Sequence, residues 1–305
     1  LCKKAKESCR VSKSYIIQRY GGKLLNKKEL WTRVLSGVII GPIVIFSYLT
    51  YPTLLGLVTT IVMLASFELI ELFTSDVKNS FIKLLLTFIV GTSSLIYGFS
   101  LEAEYRGILP FESEGIFFLA FVASVFSIML LVKEITYTKR FIESSALSII
   151  YVSFFLSNFY LIHLNYGPGM AILALTAVWA YDAGAYFFGL SFGKHKLSPH
   201  FSPKKSWEGF LGGIFFTFAY ILIFDSIGIF FGAIQKITFL QAIIFALMVG
   251  FFDTIGDLTE STIKRYYNVK NSGEILPGHG GMLDRIDGLL IVTPMWYFLL
   301  RILWI

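Results

Sequence analysis

Asp253, Asp257, Glu260, Ser261 and Lys264 recur at i, i+4, i+7, i+8 and i+11, the spacing of one helical face. Such a stripe, closed by Lys264 and Arg265, either surrounds a cation with carboxylates or forms an ion-paired helix end. The residues beyond it favour the first. Pro277, Gly278, His279, Gly280 and Gly281 make a turn whose glycines let backbone amides approach a ligand closely. The turn leads to Asp284, Arg285 and Asp287, in which two carboxylates can hold a divalent cation while the guanidinium between them grips phosphate. His279 reads either as a structural histidine or as a polar group of the same site.

A second polar cluster precedes this one. Asp182 lies about two turns inside an apolar stretch, with Tyr186 and Gly189 at i+4 and i+7 on its face, so it is expected to face protein rather than lipid. Lys194, His195, Lys196, Lys204 and Lys205 follow as a cationic loop suited to phosphate oxygens. A solvated basic loop explains that charge equally well, but not why Ser202, Pro203, Ser206 and Glu208 surround the lysine pair. Hard oxygen ligands beside several cations favour Mg²⁺ carrying phosphates over structural zinc, and the number of acids leaves a second cation open. No Walker-type loop is present, which excludes a P-loop NTPase. No nucleophile dyad is evident, which points to direct transfer between two bound substrates.

The elements that must position these groups are membrane helices. The chain has 305 residues, 55% hydrophobic and 15% charged, against roughly 25% charged in soluble domains. We expect an all-α polytopic membrane protein of about nine transmembrane helices, with a polar cavity open to the cytoplasm. The candidate spans are 33–50, 53–73, 82–99, 115–132, 142–163, 169–190, 209–232, 239–260 and 288–305. An ionisable side chain at membrane depth costs at least about 2.5 kcal/mol, so a group of them needs partners, an ion or water. Residues 33–305 are expected to form one integral membrane domain, its chemistry concentrated in 179–288.

The net charge of +6 is unevenly spread: residues 1–33 carry ten Lys or Arg against Glu7 and Glu29. Segment 1–32 therefore reads as a basic cytoplasmic arm, either drawn to anionic lipid or simply solvated, and not as a nucleic-acid binder. Cys2 and Cys9 have no histidine nearby and read as incidental thiols on a reducing face. With the N-terminus inside, the inner loops 74–81, 133–141, 191–208 and 261–287 all contain bases, whereas the outer loop 100–114 is rich in glutamate. Both polar clusters then share the cytoplasmic face, and the C-terminus lies opposite. The compact size suits a bacterial inner membrane.

Ser261 to Asp287, STIKRYYNVKNSGEILPGHGGMLDRID, closely resembles the signature of phosphatidate cytidylyltransferases, also called CDP-diacylglycerol synthases. That pattern couples Ser-x-x-Lys-Arg to a Lys-Asp pair, then Pro-Gly-His-Gly-Gly and Asp-Arg-x-Asp. Ser202 to Gly209, Asp182 and the run Gly256 to Ser261 also match, so the resemblance is strong over about residues 170–305. It implies transfer of CMP from CTP to phosphatidate, giving CDP-diacylglycerol and pyrophosphate, in a dimeric membrane protein. In one departure, Asn271 follows Lys270 where the family has aspartate; an amide supplies no negative charge. The resemblance therefore puts Mg²⁺ principally on Asp257 and Asp284, with Asp182, Glu260 and Asp287 as nearby acids. It assigns phosphates to Lys204, Lys205, Lys264, Arg265 and Arg285. Ser202, Glu208, Lys270, Gly280 and Gly281 join the substrate site, and His279 the catalytic group.

Two other readings compete. A CTP-dependent polyprenol or phytol kinase would move the γ-phosphate and release CDP. An ion-coupled transporter would also place acids in helices, but it predicts related halves or broken helices at mid-membrane, whereas here the polar residues crowd one end.

Overall fold

The computed structural model describes residues 40–108, 113–199, 202–230, 236–273, 275 and 280–304. The basic arm with Cys2 and Cys9, most of the first expected span, and Pro277, Gly278 and His279 lie outside these residues. A helical stretch at 40–47 leads into α1 (Tyr51–Phe73), α2 (Ser80–Tyr105) and α3 (Gly115–Leu131). Next, α4 (Ile135–Leu147) runs through a π-helical segment (Ser148–Phe154) to α5 (Asn158–Tyr166). The second half comprises α6 (Pro168–Phe192), strands β1 (Lys196–Ser198) and β2 (Ser202–Ser206), then α7 (Trp207–Phe230), α8 (Phe239–Tyr266) and α9 (Leu283–Leu303).

Local chemistry sets the helix starts. Pro52 and Pro168 sit in the first turns of α1 and α6, where a missing N–H costs nothing. Asn79 caps α2 by accepting from the Ile82 amide, and Thr238 with Gln241 forms a reciprocal capping box on α8. Gly167, at φ 86°, takes the left-handed turn that separates α5 from α6.

Among the described residues, seven helices are long and apolar enough to cross a membrane, fewer than the nine expected. The first expected span is described only from residue 40. Helix α3 has 17 residues, about 26 Å at 1.5 Å per residue, short of a hydrocarbon core of about 30 Å. The expected 142–163 span is the inner part of a longer continuous run, Ile135–Tyr166. The ends of α8 and α9 also differ from expectation. Helix α8 continues to Tyr266, and α9 begins at Leu283 rather than 288, so Asp284 and Asp287 stand on helical turns beyond the apolar run. Backbone bonding propagates a helix through polar residues that hydropathy assigns to a loop. The expected cationic loop contains an antiparallel two-stranded ribbon, with Lys196 opposite Ser206 and Ser198 opposite Ser202, and among the described residues every other regular element is helical.

Helix α6 packs chiefly on α7, α8 on α9, and α1 on α2. The main core runs from Leu54, Val58 and Val62 of α1 through Leu173 and Ala177 of α6 to Leu290 and Trp296 of α9. Many large apolar side chains remain outside it, including Phe81, Phe88, Phe118 and Phe126. On helices of this length, such exposed apolar surface faces lipid.

Candidate active site

The two polar clusters meet in one cavity of about 420 Å³. Helix α6 contributes Asp182, the hairpin contributes Ser202 and Lys204, and α8 contributes Asp253, Asp257, Ser261, Lys264 and Arg265. Lys270 and Asn271 reach it from the following loop, and Asp284, Arg285 and Asp287 from the first turns of α9. The α8 stripe therefore faces this space. Helices α8 and α9 cross closely because Gly288 has no side chain: a Cβ there would collide with the Asp253 carboxylate.

The charges hold one another. Lys205 Nζ lies 2.5 Å from Asp257 Oδ2, and Ser261 Oγ donates to Asp257 Oδ1 at 3.3 Å. Lys264 Nζ bridges two helices, at 2.5 Å from Glu260 Oε2 on its own and 2.5 Å from Asp284 Oδ1 on α9. Asp284 Oδ2 accepts from the Gly281 amide at 2.9 Å, the Ser272 amide at 3.0 Å and Ser272 Oγ at 3.1 Å. Asp287 Oδ1 accepts from the Gly288 amide at 3.0 Å. Gly280 has φ 86° and would bring a Cβ to 3.0 Å from Asp284 Oδ2, so a side chain there would be strained and crowded at once.

Glu208 is engaged elsewhere. It accepts from the Lys194 and His195 amides at 3.1 and 3.2 Å and pairs with His195 Nδ1 at 2.6 Å, tying the base of the hairpin. That arrangement holds the ribbon carrying Ser202, Lys204 and Lys205 against the start of α7. Glu260 is fully buried, and its Oε1 has no hydrogen-bond partner among the described residues.

Among the described residues, no three His, Cys, Asp or Glu side chains gather closely enough to form a metal-holding group. Two of the acids lining the cavity are instead paired with lysines, Asp257 with Lys205 and Asp284 with Lys264. The chemistry of the lining nonetheless suits a hard cation, because the donors are carboxylate oxygens; Glu260, bonded to the lining residue Lys264, keeps Oε1 as a buried acceptor without a hydrogen-bond partner among the described residues. Mg²⁺ binds through one or two carboxylates plus substrate phosphates, so a complete protein cage is not required.

The sequence pattern of the cytidylyltransferase family matches residues 31–303. The phosphatidate cytidylyltransferase of Thermotoga maritima is 38% identical over 279 residues, covering 90% of this chain and 97% of that protein. The chain belongs to the phosphatidate cytidylyltransferase family. The phosphatidate cytidylyltransferase of Bacillus subtilis is 34% identical over 282 residues, covering 90% of this chain and 98% of its own. That of Pseudomonas aeruginosa is 45% identical over 132 residues, 43% of this chain and 47% of its own.

Within this phosphatidate cytidylyltransferase chain, the residue that sequence reasoning passed over is Glu68 of α1. It is buried, at 3% exposure, and accepts from the Met282 amide at 2.8 Å, the Leu283 amide at 2.9 Å and Ser272 Oγ at 2.9 Å. These two amides are free donors at the start of α9, and a carboxylate suits the positive end of the helix dipole. Glu68 thus fixes the helix carrying Asp284, Arg285 and Asp287. Its signal in the sequence was an acid inside an apolar run, the same signal that singled out Asp182.

Proposed function

We propose that the cavity between α6, the hairpin, α8 and α9 is where CTP and phosphatidate meet. The chain makes CDP-diacylglycerol from these two substrates, with release of pyrophosphate. The observation that carries the site assignment is the convergence of acids and bases from five separate segments on a single space.

Phosphatidate brings its own nucleophile, a phosphomonoester oxygen, so the protein's task is to align that oxygen with the α-phosphorus of CTP. Lys204, Arg265, Lys270 and Arg285 line the cavity and offer cations to the phosphates. Lys205 and Lys264 pair with Asp257 and Asp284 and are placed to turn toward phosphate oxygens. Gly280 and Gly281 bring the backbone beside Asp284, and Ser202 marks the hairpin edge of the site. Mg²⁺ would be held by Asp257 and Asp284, with Asp182, Glu260 and Asp287 beside them, and supplies charge stabilisation at the transferring phosphorus and the pyrophosphate.

We place the cavity on the cytoplasmic face of a bacterial inner membrane, with the C-terminus opposite, because residues of the basic loops 191–208 and 261–287 line it and nucleotides are cytoplasmic. A homodimer is part of this reading.

The decisive experiment supplies purified protein with CTP, phosphatidate and Mg²⁺ and measures both products. CDP-diacylglycerol with stoichiometric pyrophosphate is expected. Release of CDP would point to a lipid kinase, and no turnover across metals and lipids would return the transporter reading.

A further inference from the structure

Ser272 stands between two carboxylates that lie far apart in sequence. Its Oγ is 2.9 Å from Glu68 Oε2 on α1 and 3.1 Å from Asp284 Oδ2 on α9. A serine hydroxyl has one hydrogen to donate, so it serves only one of these oxygens at a time. The other then faces a lone pair.

The remaining donors are backbone amides, held in place by the chain. Asp284 Oδ2 also accepts from the Gly281 and Ser272 amides, and Glu68 Oε2 from the Leu283 amide. Three donors thus crowd an Asp284 oxygen that has two lone-pair positions, whereas two donors match those of the Glu68 oxygen. The hydroxyl, which rotates, is the donor that Asp284 can give up. The loop lies close against the buried acid: a Cβ at Gly273 would stand 2.6 Å from Glu68 Oε1, and one at Gly281 would collide with Ser272 Oγ. Glycine at both positions permits that approach.

We infer that Ser272 is a positioning residue for Asp284, its hydrogen turning to Glu68 when Asp284 engages a cation. With its charge met by the cation, Asp284 tolerates the hydroxyl lone pair, and the contest between the two carboxylates ends. Glu68, outside the cavity lining, thereby favours the cation-holding state of the site. This rests on the reading of Asp284 as a Mg²⁺ ligand in CMP transfer.

The test uses the full chain in detergent without substrates, with Mn²⁺ as a hard-cation probe followed by electron paramagnetic resonance. Ser272→Ala removes the hydrogen, and Glu68→Gln leaves a neutral amide that competes for it less well. Each should weaken Mn²⁺ binding roughly tenfold. The double variant should be no weaker than the worse single one, because both changes act through the same hydrogen. In turnover with CTP and phosphatidate, the deficit of Ser272→Ala should narrow as Mg²⁺ is raised. Unchanged Mn²⁺ affinity in Ser272→Ala, losses that multiply in the double variant, or a deficit indifferent to Mg²⁺ each overturn the inference. Asp284→Ala separates the two levels of the argument. If that variant binds Mn²⁺ as the unmodified protein does, the metal reading itself falls; if it alone loses the cation, only the role of Ser272 is refuted.

Discussion

Helices α1 to α5 and helices α6 to α9 both bury polar side chains, but they satisfy them by different means. In the first half the groups are largely hydroxyls. Ser94 Oγ meets Ser157 Oγ at 2.9 Å and Tyr160 OH at 3.2 Å, and Tyr51 OH donates to the Gly98 carbonyl at 2.6 Å. Such neutral pairs close on themselves and leave a ligand nothing to gain. In the second half, around the cavity, ions are held by other ions, as in the Glu260, Lys264 and Asp284 bridge. Ions offer charge that a phosphate or a metal can bind, whereas a closed hydroxyl pair offers none. The first half is therefore scaffold and the second half machinery, and Glu68 joins them as a carboxylate of α1 that accepts from the start of α9.

Four tests by substitution would break or sharpen this contrast. The largest effect is expected at Asp257→Ala and Asp284→Ala, where CDP-diacylglycerol formation should fall by roughly 10²–10³-fold or more in a protein that still folds. Near-normal turnover in either, with folding checked by gel filtration, would remove that carboxylate from the metal assignment. Next, Lys264→Ala strands Glu260 and Asp284 without their shared cation and should cost about 3 kcal/mol, read as a lower melting temperature in detergent. Adding Glu260→Gln should recover part of that loss, and a strictly additive double variant would deny the coupling. Third, Ser94→Ala should cost about 1 kcal/mol while kcat and both KM values stay put, as a scaffold contact requires. The smallest change belongs to Arg140→Ala. This residue's bonds to Asp76, at 2.7 and 2.8 Å, lie between exposed side chains and should be worth no more than about 1 kcal/mol. A larger loss would mean that the α4 end is more than surface.

The same contrast explains what could be read from the sequence. Charged residues in an apolar chain announce themselves, so Asp182, Asp257, Lys264 and Arg285 were found by type and spacing, and the structure brings them to one cavity. What spacing does not reveal is which charge answers which. Lys205 with Asp257 and Lys264 with Asp284 join segments 52 and 20 residues apart in sequence, set by how helices cross. Glu208 sits inside a matching motif, yet its contacts serve the hairpin backbone. Hydropathy located the membrane helices but misplaced their polar ends, because helical hydrogen bonding continues where apolar character stops.

Glu68 also imposes an order in time. Its amide partners at Met282 and Leu283 lie 214 and 215 residues further along the chain. At ribosomal speeds of about 5–20 residues per second, α1 precedes them by roughly 10–40 s. Through that interval a buried acid waits without its final donors, so the nascent chain carries an unfinished joint that closes only when the last described helix arrives. A chain stopped before Met282 would leave that carboxylate without either amide partner, so the joint between α1 and α9 is a contact that only the completed helix pair can make.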